Sequence, residues 1–265
     1  MLERWFADPI ALGIAQVVLA AFLALAVVLV ARTRQVHLAG ETAVAFARGI
    51  VQVVLAGLVL LALFSGPLWT AAPVLAGMMV AGATISRKRA RGLPAAFQVS
   101  LVAIALGTGT VIAAMTALGV IRPELTHVIP VGSMLVAAGM NANSLALNRL
   151  RSEVTDHAGI IEAGLALGAS PAVVVAPYTR AAVGAALIPS IDAMRSLGIV
   201  WIPGIMAGMI IAGTHPVHAA LYQFVVIAMI FCAAGLTTLT STTLMRRHLF
   251  SRAEQLVLRP GPGDS

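Results

Sequence analysis

Apolar residues along this chain come in long unbroken runs, and the polar residues gather in the gaps between them. Seven runs stand out, at 10–31, 43–64, 68–86, 96–120, 125–147, 197–213 and 217–244. None shows the alternation of a half-buried strand. About 20 apolar residues in a helix cross the roughly 30 Å hydrocarbon layer of a bilayer. A helix satisfies its own backbone in lipid, whereas a barrel strand alternates every second residue. The pattern therefore predicts an all-α, polytopic membrane protein with about seven transmembrane helices. The sixth run is short and carries Pro203-Gly204, which reads as a broken or tilted span.

Composition points the same way. Of 265 residues, 60% are hydrophobic and 10% charged, with a mean hydropathy of +0.98. Soluble domains carry about 25% charged residues. Seven spans and their loops leave no room for a separate soluble enzyme domain, so one membrane domain is expected over 1–265. The first run is longer than the apolar core of a cleavable signal, and no clearly basic stretch precedes it, so it reads as a first transmembrane helix. The single Cys232 excludes a disulfide framework or zinc cluster and reads as a small buried hydrophobe. The Pro/Gly-rich tail at 259–265 is expected to be disordered.

Charge adds an orientation. Arg32, Arg34 and Arg48 follow or flank the first gap; Arg87, Lys88, Arg89 and Arg91 follow the third run. Arg149, Arg151, Arg180 and Arg195 follow the fifth, and Arg246, Arg247, Arg252 and Arg259 the seventh. That is 15 of the 17 Lys and Arg residues on one side, leaving Arg4 and Arg122 opposite. Cytoplasmic loops are the basic ones, so the N-terminus is expected outside and the C-terminus in the cytoplasm of a bacterial inner membrane. Trp5 and Trp69 then fall near outer ends and Trp201 near an inner end. The basic residues flank apolar spans without aromatic interleaving, so a membrane and not a nucleic acid is the expected partner.

Polar side chains at membrane depth are costly and mark interiors or cavities. The densest set is Asn141, Asn143, Ser144 and Asn148, of which Asn141, Ser144 and Asn148 share one helical face. Such a stripe suits a polar solute or hydrated ion, although the same residue types also join helices. Gln52 and Gln223 are further pathway candidates. Arg48 is expected to reach the headgroups or pair with Glu41. Asp192 and Arg195, three apart, form a gate or an anchoring pair. The 11 methionines read as packing rather than as a soft-metal site, His215 and His218 as loop residues, and no metal ligand or catalytic residue is assigned.

The connection 148–196 is polar at its start, with Arg149, Arg151, Glu153, Asp156, His157 and Glu162, and is cut by Pro171, Pro177 and Pro189. It is expected to be a cytoplasmic segment. Within it 160–167 predicts a short helix stopped by Gly168 and Pro171, then a second helical stretch over 173–186 returning toward the bilayer. Small residues at Ala163, Gly164, Ala166, Gly168 and Ala169 let a partner approach closely, and Glu162 offers a charge. A plain amphipathic hairpin would read the same way.

These residues resemble the "EAA" coupling loop of ATP-binding-cassette (ABC) importers: here Glu162-Ala163-Gly164, three residues, then Gly168. Ile188-Pro189 lies further on than in importers. More of the chain is similar to the FetB family of bacterial ABC permeases, named for iron export, with plant relatives in aluminium tolerance. The matching stretches are ARGIVQVVLAG, GMMVAGATISRKR, PVGSMLVAAGMNANSLALNRL, IEAGLALGAS and IVWIPGIMAGMIIAGTHPVHAALYQFVVI. Met209 stands where that family has a polar residue.

The resemblance implies a non-catalytic permease subunit that exports iron or another metal. It implies a homodimer paired with separate ATP-binding subunits that hold ATP and Mg, coupled through Glu162, Ala163, Gly164, Gly168, Ala169 and Ser170. The residues agree on one point: a Walker A loop needs Gly-Lys-Ser/Thr, and Lys88 lies between two arginines. A permease for an organic solute such as a nucleotide sugar, an ion-gradient-driven carrier or channel, and a scaffold stay open. No Asp or Glu lies centrally in an assigned span, which weighs against a carrier coupled through a carboxylate.

Overall fold

The computed structural model describes residues 8–34, 39–63, 66–251 and 253–258, with the side chains of 9, 39–43 and 62 left aside. Trp5, the Glu41 side chain and the tail 259–265, on which expectations were placed, lie outside the described residues. The described chain is α-helical, joined by turns and two isolated β-bridges. It divides into two compact units, Met1–Gly66 and Pro67–Ser265.

The first unit holds α1 (Pro9–Thr33) and α2 (Ala39–Leu63). Asp8 starts α1 by accepting from the Ile10 N–H at 3.0 Å, with Pro9 preset at the first helical position. α1 is apolar around nearly its whole circumference, α2 over 44–61 is apolar apart from Arg48 and Gln52, and both expose large hydrophobic side chains such as Ile14, Phe22, Val53 and Leu61. Exposed apolar faces of that length suit a lipid surrounding.

The second unit opens with a 3₁₀ turn at Leu68–Thr70. It continues through α3 (Ala71–Arg89), α4 (Ala96–Ala117), α5 (Leu125–Asp156), α6 (Ala158–Ala166), α7 (Pro171–Ser196), α8 (Gly204–Ile211) and α9 (Pro216–His248). Seven helices of the described chain are long and apolar enough to cross a membrane, so the all-α architecture stands.

The sixth of them differs from the expectation. It is α7, Pro171–Ser196, and not 197–213. Residues 197–203 form a turn, with Gly198 left-handed and Leu197 bridged to Trp201. The α8 that follows has eight residues and reaches about 12 Å, far short of a bilayer. Pro171 is no break, because it occupies the first helical position. Pro177 and Pro189 sit inside α7, as prolines do in membrane helices whose neighbours and hydroxyls re-satisfy the backbone.

One hydrophobic cluster ties an end of this bundle together. It joins the turn after α3 (Ala90, Leu93), the start of α4 (Val99), the last turns of α5 (Leu150, Val154) and Ile161 of α6. Val175 at the start of α7 and Met245 at the end of α9 complete it. Helices therefore alternate in direction, and Arg87, Lys88, Arg89, Arg149, Arg151, Arg246 and Arg247 all gather at this end. Arg195 and Trp201 do not: they follow α7 to the opposite end, where the Trp69 turn also lies. Cys232 is likewise corrected. It faces outward from α9 rather than into the core, as an apolar thiol does on a lipid-facing surface.

The tightest packing is where α4, α5 and α9 meet. A Cβ at Gly107 would lie 2.2 Å from Thr237 Oγ1 and 2.5 Å from the Thr237 backbone nitrogen. One at Gly139 would lie 2.6 Å from Thr108 Cγ2. Without a hydrophobic drive between helices in lipid, such backbone approach supplies the association through dispersion contacts. Gly107→Ala is therefore expected to lower the melting temperature in detergent, at a cost of about 1–3 kcal/mol from overpacking. Gly109→Ala, in the same helix with open space around it, should leave the temperature unchanged or slightly raised; equal behaviour of the two would refute the node.

Candidate functional site

Helix α5 runs through the middle of the second unit and packs against α3, α4, α7 and α9. Its polar residues divide by face. Asn143 is fully buried and donates to Ser100 Oγ of α4 at 2.9 Å. Ser144, half-buried, shares a 3.0 Å hydrogen bond with Ser86 of α3, whose hydroxyl also lies 3.3 Å from the Met140 carbonyl. These two side chains join helices.

Asn141 and Asn148 do something else. They lie exposed on a stripe of α5 that also contains Met134, Ala137, Leu145 and Ser152, spaced three or four residues apart. A carboxamide has two donors and two acceptor lone pairs, all of which lipid would leave unmatched. The stripe needs water, a solute or protein against it.

A second polar layer is buried on α9, where six of the seven residues Thr237–Thr243 are Ser or Thr. Thr242 donates to the Thr238 carbonyl at 2.8 Å and Ser241 to the same carbonyl at 3.1 Å, so both are turned back onto their own helix. Thr237 Oγ1, Thr238 Oγ1, Asn143 Oδ1 and Gln223 Oε1 are buried without a hydrogen-bond partner among the described residues. Gly139 touches Thr237, and Asn143 is one turn further along α5. The unpaired oxygens of Thr237 and Asn143 thus belong to one region of the α4–α5–α9 core. The hydroxyl run of α9 was the visible sign of this layer in the sequence, and attention to amides alone passes over it.

Gln223 is buried on α9, whereas Gln52 is exposed on α2 in the other unit. Asp192 and Arg195 lie 4.0 Å apart, both largely exposed, at the end of α7 remote from the basic cluster. Such a pair contributes little to stability. His215 caps α9, accepting from the Val217 N–H through Nδ1 at 3.3 Å. Among the described residues no three His, Cys, Asp or Glu side chains converge in a metal-binding group.

The predicted short helix is α6. It ends in a Schellman motif: Gly168 N–H bonds the Leu165 carbonyl and Ala169 N–H the Gly164 carbonyl, at 2.9 and 3.0 Å, with Gly168 at φ +89°. Ser170 then stands at the N-cap position of α7, followed by Pro171. Ile161 is the inward anchor, in the basic-end cluster. Gly164 also faces inward, since a Cβ there would meet Val174 Cγ1 of α7 at 2.8 Å. Glu162, Ala163, Ala166 and Gly168 are exposed, together with Ile160 and Leu167, the last 89% accessible.

The elbow between α5 and α6 is a single residue, His157. Its Nδ1 lies 2.9 Å from the Glu153 carbonyl, and its ring packs on Tyr178 of α7 at 4.8 Å between centroids. Glu153 is in turn paired with Arg149 at 2.6 Å.

The model of an uncharacterised protein family, UPF0014, matches residues 14–250. The chain is 33% identical over 226 residues to the UPF0014 membrane protein STAR2 of Oryza sativa subsp. japonica, covering 84% of this chain and 79% of that one. It is 31% identical over 241 residues to the probable iron export permease protein FetB of Escherichia coli K12, covering 91% and 93%. To the protein ALUMINUM SENSITIVE 3 of Arabidopsis thaliana it is 30% identical over 233 residues, covering 86% and 84%. No solved structure is significantly similar.

The two faces of α5 predict separable phenotypes. A double-mutant cycle on Ser86→Ala and Ser144→Ala, read by detergent unfolding, should give a coupling of about 0.6 kcal/mol, the usual size for hydrogen bonds between membrane helices. If the open stripe lines a path for a solute, Asn141→Leu with Asn148→Leu leaves stability unchanged and stops transport in vesicles. Unimpaired flux would remove the stripe from the pathway.

Proposed function

The chain belongs to the UPF0014 family, and on that premise we propose that it is the membrane-spanning permease subunit of an ABC transporter. Its ATP-binding subunit is a separate chain, and the permease works as a homodimer. The basic end of the bundle is the cytoplasmic end, by the excess of Lys and Arg there.

The observation that carries this reading is α6. Nine residues of helix, with Ile160, Ala163 and Leu167 exposed beside Glu162, stand at the basic end between two long helices. Exposed apolar residues with one charge on a short helix suit the groove of a partner protein. The helix is also mechanically connected. Ile161 and Gly164 fix it to the core and to α7, and His157 joins it directly to α5 and braces it on Tyr178. A push on α6 therefore reaches α5, whose outer face carries Asn141 and Asn148. ATP hydrolysis in the partner would supply that push, and the stripe would turn between inward and outward access. With two copies facing across the stripe, its amides line a shared path rather than meeting lipid.

For the cargo, the likeness to the relative named for iron export supports a metal, exported. The amides and hydroxyl of Asn141, Asn148 and Ser152 favour a second reading, an organic solute such as a sugar nucleotide, because these groups match sugar hydroxyls. Metal-stimulated and solute-stimulated ATP hydrolysis in the purified complex separates the two.

Glu162→Arg and Leu167→Arg are each expected to abolish co-purification of an ATPase while the permease still inserts in the membrane and elutes as a single species. Retained ATPase in both variants, or uphill transport by the reconstituted permease alone on an ion gradient, would overturn the reading.

A further inference from the structure

At the basic end, α3 stops at Arg89 and the chain turns through 90–95 before α4 begins at Ala96. A cavity of about 950 Å³ lies in this elbow. Arg87, Lys88 and Arg91 line it together with Gln98, and Leu93 and Phe97 add an apolar part. The three cations are exposed and make no hydrogen bond or ion pair among the described residues. Nor does the local chain supply a counter-charge: between Glu41 and Glu124 there is no Asp or Glu. Three like charges around one cavity repel each other unless an anion from outside the chain lies among them.

The start of α4 adds donors. Its N-cap position is Ala95, which has no side-chain bond to offer. The first helical backbone bond is Val99 N–H to the Ala95 carbonyl. The N–H groups of 96–98 are therefore left without helical partners, and those residues line the same cavity.

We propose that this elbow binds the phosphate headgroup of an anionic phospholipid. Both helices that form it are membrane-spanning, so the cavity sits at headgroup level at one end of the bundle. Basic pockets between transmembrane helices on the cytoplasmic side are suited to such headgroups. The volume and the apolar part favour a lipid over a free phosphate ion. Leu93 and Phe97 accommodate the glycerol and upper acyl carbons, which an inorganic anion lacks. Arg87 and Arg91 present planar forks to the phosphodiester, and Lys88 a point charge. The proposal holds whatever the permease carries.

The test is native mass spectrometry of the full-length protein released from nanodiscs of phosphatidylglycerol, cardiolipin, phosphatidylethanolamine and phosphatidylcholine. Wild type should retain the anionic lipids over the neutral ones by at least tenfold, at about fivefold for each cation near the surface. Arg87→Gln with Arg91→Gln should reduce that preference at least tenfold. Arg246→Gln with Arg247→Gln, at the same end but outside the cavity, should keep it.

Equal retention of anionic and neutral lipids by wild type would overturn the site without any variant needing to fold. Equal loss in both double variants would reduce it to a diffuse basic belt. Displacement of the bound lipid by millimolar inorganic phosphate would reassign the cavity to a free anion.

Discussion

Where α4, α5 and α9 cross, the α4 backbone at Gly107 meets the α9 backbone at Thr237, and only two threonine side chains separate them from α5 at Gly139. Gly107 and Gly139 leave just the space that Thr237 and Thr108 fill. In water, helices are pressed together by the exclusion of apolar surface; in lipid that force between helices is absent, and close contact has to replace it. The node sets the spacing of two of the helices that surround α5, α4 and α9, and so decides which of its faces is sealed and which is left open. Asn143 falls on the sealed side, Asn141 and Asn148 on the open one.

The same constraint explains where the polar groups are tolerated. On the buried side, Ser86, Ser100, Asn143 and Ser144 are consumed in bonds between helices, while the Thr-rich run of α9 folds several hydroxyls back on its own carbonyls. Asn143 Oδ1 and Thr237 Oγ1 are left over there, as are Thr238 Oγ1 and Gln223 Oε1 elsewhere on α9, without a partner among the described residues. An unmatched buried oxygen destabilises by its full desolvation.

At the basic end the chain makes two turns in close succession. A one-residue elbow at His157, a Gly-capped short helix and a proline-started long one leave few soft joints between Asp156 and Pro171. The α6 surface turned outward is the one not used in holding α6 in place: Ile161 and Gly164 point in, Ile160, Glu162 and Leu167 point out. Small residues of the EAG stretch thus divide between two tasks, a division that spacing does not reveal, since Ala163 and Gly164 are neighbours in sequence and face different ways.

Membrane residence, the helical class, six of the seven spans and the place of the short helix α6 in the chain were all legible in the order of residues, because each depends on local hydrophobicity or on a glycine stop. The sixth span was not. Pro171, Pro177 and Pro189 look like breaks when neighbours are unknown; in the fold Pro171 opens α7 and the other two are carried inside it, where it packs against α5 and α9. That one shift carried Asp192, Arg195 and Trp201 to the other end of the molecule. Which asparagine joins helices and which lines an open face was also beyond the sequence. Residues 141, 143, 144 and 148 share a composition and differ only in angle about an axis. The angle acquires meaning from helices 40 to 100 residues away, packed where glycine permits.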